Sequence, residues 1–466
     1  MPRQSNQATV PREAAPQTGK IRRLHLPQKL RNLELFLLTI ACGVNLGAVV
    51  LVQLGALGLI DTTLVLLGAS LSGLVFALHF VLRFVAREAD PFLLPIATLL
   101  NGLGIAMIYR IDIANNESGW ASAAVRQTVW SGMAIACAIA VILIIRNHRV
   151  LFRYTYVAGF VGVALLLLPL VPGLGREVSG ARVWIGIGDF ATFQPGEIAK
   201  IALAVFFAGY LVRNRDSLSM VGKKFLGMRF PRLRDLGPIL VVWALSMSVI
   251  IFQRDLGTAL LYFGLFLVML YLATARLSWV LLGMALFLGG ALIASQTLEY
   301  VNGRFTNWLD ALNPVVYDAA GGSYQLVQGL FGLAKGGLIG TGLGQGRPEL
   351  TPVPQSDYII ASLGEELGLA GIFAILALYL LLVARGFRIG FAGQDDFGKL
   401  LGVGLSFVIA LQCFIVIGGV TRVIPLTGLT TPFLAAGGSS LVANWIIVAL
   451  LLRLSDTVRN QPRLVV

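Results

Sequence analysis

The sequence predicts an all-α integral membrane protein, a polytopic bundle of about twelve transmembrane helices. Of its 466 residues, 57% are hydrophobic and only 13% charged, and mean hydropathy is +0.82; soluble domains carry about 25% charge. Apolar runs near the roughly 20 residues that a bilayer core requires recur at 35–57, 62–82, 92–109, 128–145, 154–172, 193–212, 237–252, 257–275, 278–295, 358–384, 401–420 and 431–452. The basic residues between these runs fall mainly on alternate sides.

Residues 1–30 form a basic tail with Arg3, Arg12, Lys20, Arg22, Arg23 and Lys29. The apolar run after it is too long for a signal-peptide core and no small-residue cleavage site is evident, so the N-terminus is expected to be retained. Residues 31–88 read as two helices with few polar landmarks. Asp90-Pro91 opens a second start, after which polar residues mark nearly every span. The division expected is a tail over 1–30, two added helices over 31–88, a core over 89–456 and a short tail over 457–466.

A net charge of +13 could suggest nucleic acid, but its placement argues otherwise. With the N-terminus inside, cytoplasmic segments collect Arg31, Arg83, Arg87, Arg146, Arg149, Arg153, the run from Arg213 to Arg234, Arg276, Arg385, Arg388, Lys399, Arg453, Arg459 and Arg463. An even number of spans returns the C-terminus to the same side. The spans 237–252 and 257–275 are separated only by Gln253-Arg254-Asp255. Cys42, Cys137 and Cys413 all lie in apolar runs and read as packing residues. His25, His79 and His148 have no ligand spacing.

The longest polar stretch, 296–356, is expected outside the membrane as one large loop before Asp357. Within it Gln325–Lys335 is amphipathic and a glycine-rich segment follows from Gly336 to Gly344. These read as an interfacial helix and a turn, serving as lid or as binding surface. Ser323 is expected to be exposed there.

Chemistry concentrates in four motifs. Arg182-Val-Trp184 precedes Phe193-Gln194-Pro195-Gly196-Glu197-Ile-Ala-Lys200, with Glu197 and Lys200 on one helix face. Such a pair either pins a helix or meets a substrate, since a buried ion needs a partner in either case. Gln253-Arg254-Asp255-Leu-Gly257 is a charged kink. Ser356-Asp357-Tyr358-Ile359 leads to Glu365-Glu366-Leu-Gly368. Thr421-Arg422-Val-Ile-Pro425-Leu-Thr427-Gly428 leads to Gly437-Gly438-Ser439-Ser440. Asp357 sits where a span meets water; as a base it would take a proton, and as a helix N-cap it would only hold the helix end, with Ser356 as the other candidate cap.

Taken in order, these motifs resemble the SEDS family, the RodA/FtsW/SpoVE group of peptidoglycan polymerases, from about Asp90 to Asp456. The usual core of that family has ten helices, so residues 31–88 look like an addition whose removal would leave the core active. Departures are Gly196 for a serine, Arg254 for a proline and Gln355-Ser356 for His-Thr. Thr427 stands where some division-type members carry lysine, which leans the resemblance toward the elongation type.

The resemblance implies a glycosyltransferase that polymerises lipid II into glycan strands on the outer face and releases undecaprenyl diphosphate. It implies Asp357 as general base and a class B penicillin-binding protein as membrane partner. Substrate-binding candidates are Arg182, Trp184, Gln194, Glu197, Lys200, Arg254, Asp255, Glu366, Arg422 and Ser439, with Arg304 and Arg347 further arginines for a diphosphate. No cofactor is required by the sequence and no metal cage is evident, though Mg²⁺ or Mn²⁺ could bridge the diphosphate. The competing readings are a division-type polymerase, a lipid II flippase, for which Lys200 within a span speaks, and a non-enzymatic scaffold.

Overall fold

The computed structural model describes residues 26–178, 180–187, 191–219, 224–225, 228–229 and 237–460. The basic tail up to residue 25, Gly188, Lys223, the arginines between 230 and 236, and 461–466 lie outside these. Two long helices come first, α1 (Leu26–Leu57) and α2 (Thr62–Val85). They are followed by α3 (Leu93–Ala114) and α4 (Ala123–Ile144). Helix α4 starts where it does because Ser122 accepts from the Val125 N–H at 3.2 Å, and Asp112 accepts from the Ala123 and Ala124 N–H groups at 3.1 and 2.8 Å. A carboxylate at the positive end of a helix is stabilising.

The short α5 (Arg149–Arg153) leads to α6 (Thr155–Leu167) and a three-stranded antiparallel sheet, β1 (Gly175–Val178), β2 (Ala181–Ile187) and β3 (Ala191–Phe193). Then come α7 (Pro195–Arg213), α8 (Arg215–Ser219) and a two-stranded ribbon, β4 (Lys224–Phe225) with β5 (Met228–Arg229). Helix α9 (Gly237–Ser248) runs through a π-turn at Val249–Gln253 into α10 (Leu256–Thr274). The break is the charged kink. Arg254 takes the left-handed conformation, φ 57°, and Asp255 caps α10 by accepting from the Thr258 N–H at 2.9 Å.

Helix α11 (Leu277–Thr297) is followed by α12 (Glu299–Leu309), α13 (Pro314–Asp318) and α14 (Tyr324–Gly336), then by α15 (Ile359–Ala392), α16 (Asp396–Val420) and α17 (Gly438–Arg459). Among the described residues ten helices are long and apolar enough to cross a membrane, and two shorter apolar ones occupy 155–170 and 240–253. These twelve elements are the twelve runs read from the sequence. The protein is a multi-pass membrane protein. Helices α3 and α17 are the most buried of the ten and α2 the least, so α3 and α17 lie inside the bundle and α2 at its surface.

Helix α15 is not continuous. Gly368 adopts φ 68°, ψ −173° in its middle, a conformation open to glycine alone. The break exposes backbone groups that lipid cannot satisfy. The glycine-rich turn fills the gap: Thr341 and Gly342 N–H donate to the Glu365 and Glu366 carbonyls at 3.0 and 2.9 Å, and Leu369 and Ala370 N–H donate to Gly337 and Leu338 at 2.9 and 3.1 Å. The tip residues Leu338 and Ile339 are exposed and apolar. They suit an interfacial position next to the amphipathic α14.

One expectation fails here. Ser323 is buried, and its hydroxyl donates to the Ala311 carbonyl at 2.6 Å. It is a polar side chain spent on tying the start of α14 back to the link between α12 and α13, a long-range contact that the local sequence did not reveal. Exposed positions in the same loop are Val315 and Asp318.

Candidate functional site

The site is built where α10, α12, α15 and the segment before α17 meet. Asp357 lies in the turn that precedes α15. The cap position of that helix is Tyr358, with no side-chain cap bond, so the Asp357 carboxylate does not hold the helix end. The Ser356 hydroxyl donates back to the Val353 carbonyl at 3.1 Å. Opposite stands Gly428, at φ 85°. A Cβ placed on it would lie 3.9 Å from Asp357 Oδ2 and 4.0 Å from Arg304 Nη2, which fixes carboxylate, guanidinium and backbone as one cluster. Arg304 comes from α12 and donates to the Leu426 carbonyl at 3.3 Å. Thr427 meets the start of α10 beside Gly257.

The polar groups around this cluster are incompletely satisfied. Gln355 Oε1, the Tyr358 hydroxyl and the hydroxyls of Thr427, Thr430 and Thr431 are buried without a hydrogen-bond partner among the described residues. Each such group costs about 1–3 kcal/mol if left so. Five in the two short segments 355–358 and 427–431, which carry Asp357 and Gly428, mark a place prepared for water or a polar ligand.

Electrostatics separate two aspartates. Burial pushes the Asp357 carboxyl up to about 6, the Arg304 guanidinium holds it down, and the charge of Asp255 raises it further. Asp255 is also raised by burial, against two hydrogen bonds from Thr258, and by Glu197. Its two oxygens accept from the Thr258 N–H and hydroxyl at 2.9 and 2.5 Å. Asp255 is therefore engaged as a cap, while Asp357 is ionised at neutral pH yet more basic than an ordinary carboxylate.

A second layer lies behind. Gln194, Gly196, Gln253, Asp255 and Thr258 line one narrow cleft with Leu166. The Gln194 N–H donates to Ser439 Oγ at 3.1 Å, joining the start of α7 to α17. Lys200 is almost fully buried and donates to Glu197 Oε2 at 2.5 Å, Gln412 Oε1 at 2.9 Å and Asn444 Oδ1 at 3.3 Å. All three of its donor positions are matched. The pair locks α7, α16 and α17 together.

Other candidates stand apart from Asp357. Arg182 is exposed on β2 and donates to Glu177 at 3.0 Å. Trp184 lies opposite Arg176 in the same sheet. Arg254 is exposed. Arg422 donates to the Trp308 and Leu309 carbonyls at 2.7 and 2.8 Å, so its fork is committed to α12. Glu366 accepts from Arg110 Nε at 3.1 Å and from the Gly346 and Gly344 N–H groups at 3.2 and 2.8 Å, holding the glycine-rich turn. The Arg347 N–H is held by Glu365 at 2.9 Å.

The sequence reading passed over Arg110, Gln412 and Asn444, the partners of Glu366 and Lys200. Each is a lone polar residue inside an apolar run, the signal already used for Lys200. The open hydroxyls of Thr427, Thr430 and Thr431 carried no such signal. Among the described residues no three His, Cys, Asp or Glu side chains converge as a metal cage.

Comparison with known proteins concerns the family and the fold. The family described as "Cell cycle protein", the FtsW/RodA/SpoVE group, matches residues 91–460. The peptidoglycan glycosyltransferase RodA of Mycobacterium tuberculosis is 44% identical over 436 residues, 93% of this chain and 92% of that protein. Stage V sporulation protein E of Bacillus subtilis is 33% identical over 376 residues, 78% of this chain and 96% of its own length. Among solved structures, a chain from a study of how a peptidoglycan synthase complex coordinates polymerization and crosslinking shares the fold with a TM-score of 0.61 at 24% identity, covering 80% of this chain and 99% of that one. Thermus thermophilus rod shape determining protein RodA does so at 0.55 and 24% identity, covering 82% of this chain and all of its own.

Proposed function

This chain belongs to the FtsW/RodA/SpoVE family, and on that premise we propose that the Asp357–Arg304 cluster is the active centre of a membrane-embedded peptidoglycan glycosyltransferase acting on lipid II. The enzyme is a peptidoglycan glycosyltransferase, like its RodA relatives at 44% identity over most of the chain. That identity exceeds the 30% to a division-type relative and supports the elongation role. The cluster lies at the outer face, with both termini in the cytoplasm; the basic residues at the opposite end support this orientation.

The single observation that carries the mechanism is the juxtaposition of Asp357 and Arg304 across Gly428 among unsatisfied hydroxyls. A sugar hydroxyl is a weak nucleophile and needs a base. Asp357 takes the proton of the acceptor hydroxyl as its oxygen attacks the anomeric carbon of the donor sugar. The bond from that carbon to the diphosphate breaks, configuration inverts, and undecaprenyl diphosphate leaves with the electron pair. One carboxylate suffices, because no covalent glycosyl-enzyme forms. Arg304 stands next to the base and takes up charge on the departing diphosphate. A Mg²⁺ or Mn²⁺ ion bridging the diphosphate would supplement these arginines.

The feature that recommended a flippase was Lys200, and its three matched acceptors leave it closed to a passing substrate. A class B penicillin-binding protein is the partner proposed, supported by the fold shared with a chain of a synthase complex. Purified protein given lipid II, alone and with such a partner, tests the reading. Glycan strands are expected in the presence of the partner. Transport of lipid II across a vesicle membrane without strands would overturn it.

A further inference from the structure

The N-terminal pair α1–α2 reads from sequence as an addition to a self-sufficient core. Its contacts are not those of a bystander. At the basic end Arg31 pairs with Glu34 at 2.7 Å and donates to the Ala89 carbonyl, and His79 meets Glu34 at 2.6 Å. Midway, Asn45 Nδ2 donates to the Thr98 carbonyl at 2.9 Å.

The telling contact is at the Asp357 end, where the backbone of α1 touches the glycine-rich turn directly. A Cβ on Gly55 would collide with the Leu343 carbonyl. A Cβ on Gly344 would lie 2.8 Å from the Val52 carbonyl and 2.9 Å from the Ala56 N–H. Gln345 Nε2 donates to the Gly55 carbonyl at 3.2 Å. Two glycines thus meet where neither chain has room for a side chain, the device membrane helices use for close packing.

The other side of the same turn is the plug of the broken helix. Thr341 and Gly342 fill the gap opened by Gly368, and Gly344 and Gly346 donate to Glu366. The turn is therefore sandwiched between α1 and α15, and Asp357 stands two turns before Glu365 on the α15 side. We propose that α1 is a clamp that presses the Gly340–Arg347 turn into the break of α15 through the Gly55–Gly344 contact, and thereby positions the mouth of the active site. Gly55 and Gly344 are positioning residues, distant from the reacting atoms. The proposal rests on the catalytic reading of Asp357 for its consequence, though not for the clamp itself. It also reverses the expectation that 31–88 can be dispensed with.

The test compares two substitutions on one helix in the full chain reconstituted in nanodiscs. Gly55→Leu forces a side chain into the turn. Gly47→Leu is the matched control, because nothing lies within 4 Å of a Cβ there. Hydrogen exchange at residues 340–347 is expected to rise about tenfold in Gly55→Leu, with kcat for lipid II polymerisation lower by about tenfold and KM within about twofold, the pattern of a misplaced catalytic group. Gly47→Leu should change neither. Unchanged exchange in Gly55→Leu, or raised exchange with kcat intact, overturns the proposal. If Gly55→Leu fails to fold, Gln345→Leu removes only the side-chain tie to α1 and must raise exchange in the same segment; no change there overturns it too. Absence of polymerisation in the unaltered protein would sink the catalytic reading instead, and the exchange comparison would still decide the clamp.

Discussion

Replacing Asp357 by asparagine distinguishes catalysis from support, because asparagine serves a helix end about as well as aspartate but cannot take a proton, so only the catalytic role predicts a large loss of activity. Burial raises this carboxyl from 3.8 to about 6, a shift of about 2 units, or roughly 3 kcal/mol between its two protonation states at most. A folded-state pKa above the unfolded one favours the protonated form. The stability it contributes is present below about pH 4 and is lost as pH rises through about 6, so at pH 7 the ionised Asp357 is a burden on the fold. Asparagine cannot ionise and removes that burden. Nor does it remove a cap, since the α15 cap is Tyr358 without a side-chain bond. Asp357→Asn is therefore expected to melt at or above the temperature of the unaltered protein at pH 7, with the difference vanishing near pH 4. Polymerisation should fall by roughly 10²–10⁴, the loss typical of a general base. In the unaltered protein the rate should rise with pH through an acid limb near 6 and then level. The assay is glycan strand formation from lipid II by purified protein with its partner between pH 5 and 8, beside melting curves of both forms. Near-normal strand formation by Asp357→Asn would refute the assignment, and an acid limb near 4 would refute the burial argument.

Arg304→Ala removes a cation that holds the Asp357 carboxyl down, so the acid limb should move to higher pH; a limb that stays put would detach Arg304 from the site. Glu197→Ala leaves Lys200 buried with only two neutral acceptors and should cost about 3–5 kcal/mol, read as a lower melting temperature; neutralising both residues should recover much of it. A fully stable Glu197→Ala protein that cannot polymerise would speak instead for contact with substrate. Cysteine at Val315 should be labelled from outside intact cells and cysteine at Arg153 only after permeabilisation, and the reverse pattern would invert the topology. Chelation by EDTA should slow polymerisation if a divalent cation bridges the diphosphate, with Mg²⁺ or Mn²⁺ restoring it; an indifferent rate would leave the charge to the arginines.

The sequence by itself determined the bundle, because membrane solvation acts on each segment separately. Any run such as Leu277–Thr297 must be helical to satisfy its own backbone, and its neighbours do not alter that. The kink at Gln253-Arg254-Asp255, the pairing of Glu197 with Lys200 and the position of Asp357 at the end of a span were legible for the same local reason. Only the tertiary structure decided what these residues do. Lys200 finds Gln412 and Asn444 from helices over 200 residues away. Arg422 looked free for a diphosphate and is bound to the end of α12. Asp357 looked equally like a cap, and its separation from that role depends on where α15 begins. The break at Gly368 and the turn that fills it are a matter of two segments satisfying each other's backbone groups, and neither segment alone carries that information. The same holds for Gly55 and Gly344: each is one glycine among 53, and they acquire meaning only because the fold brings their backbones into contact.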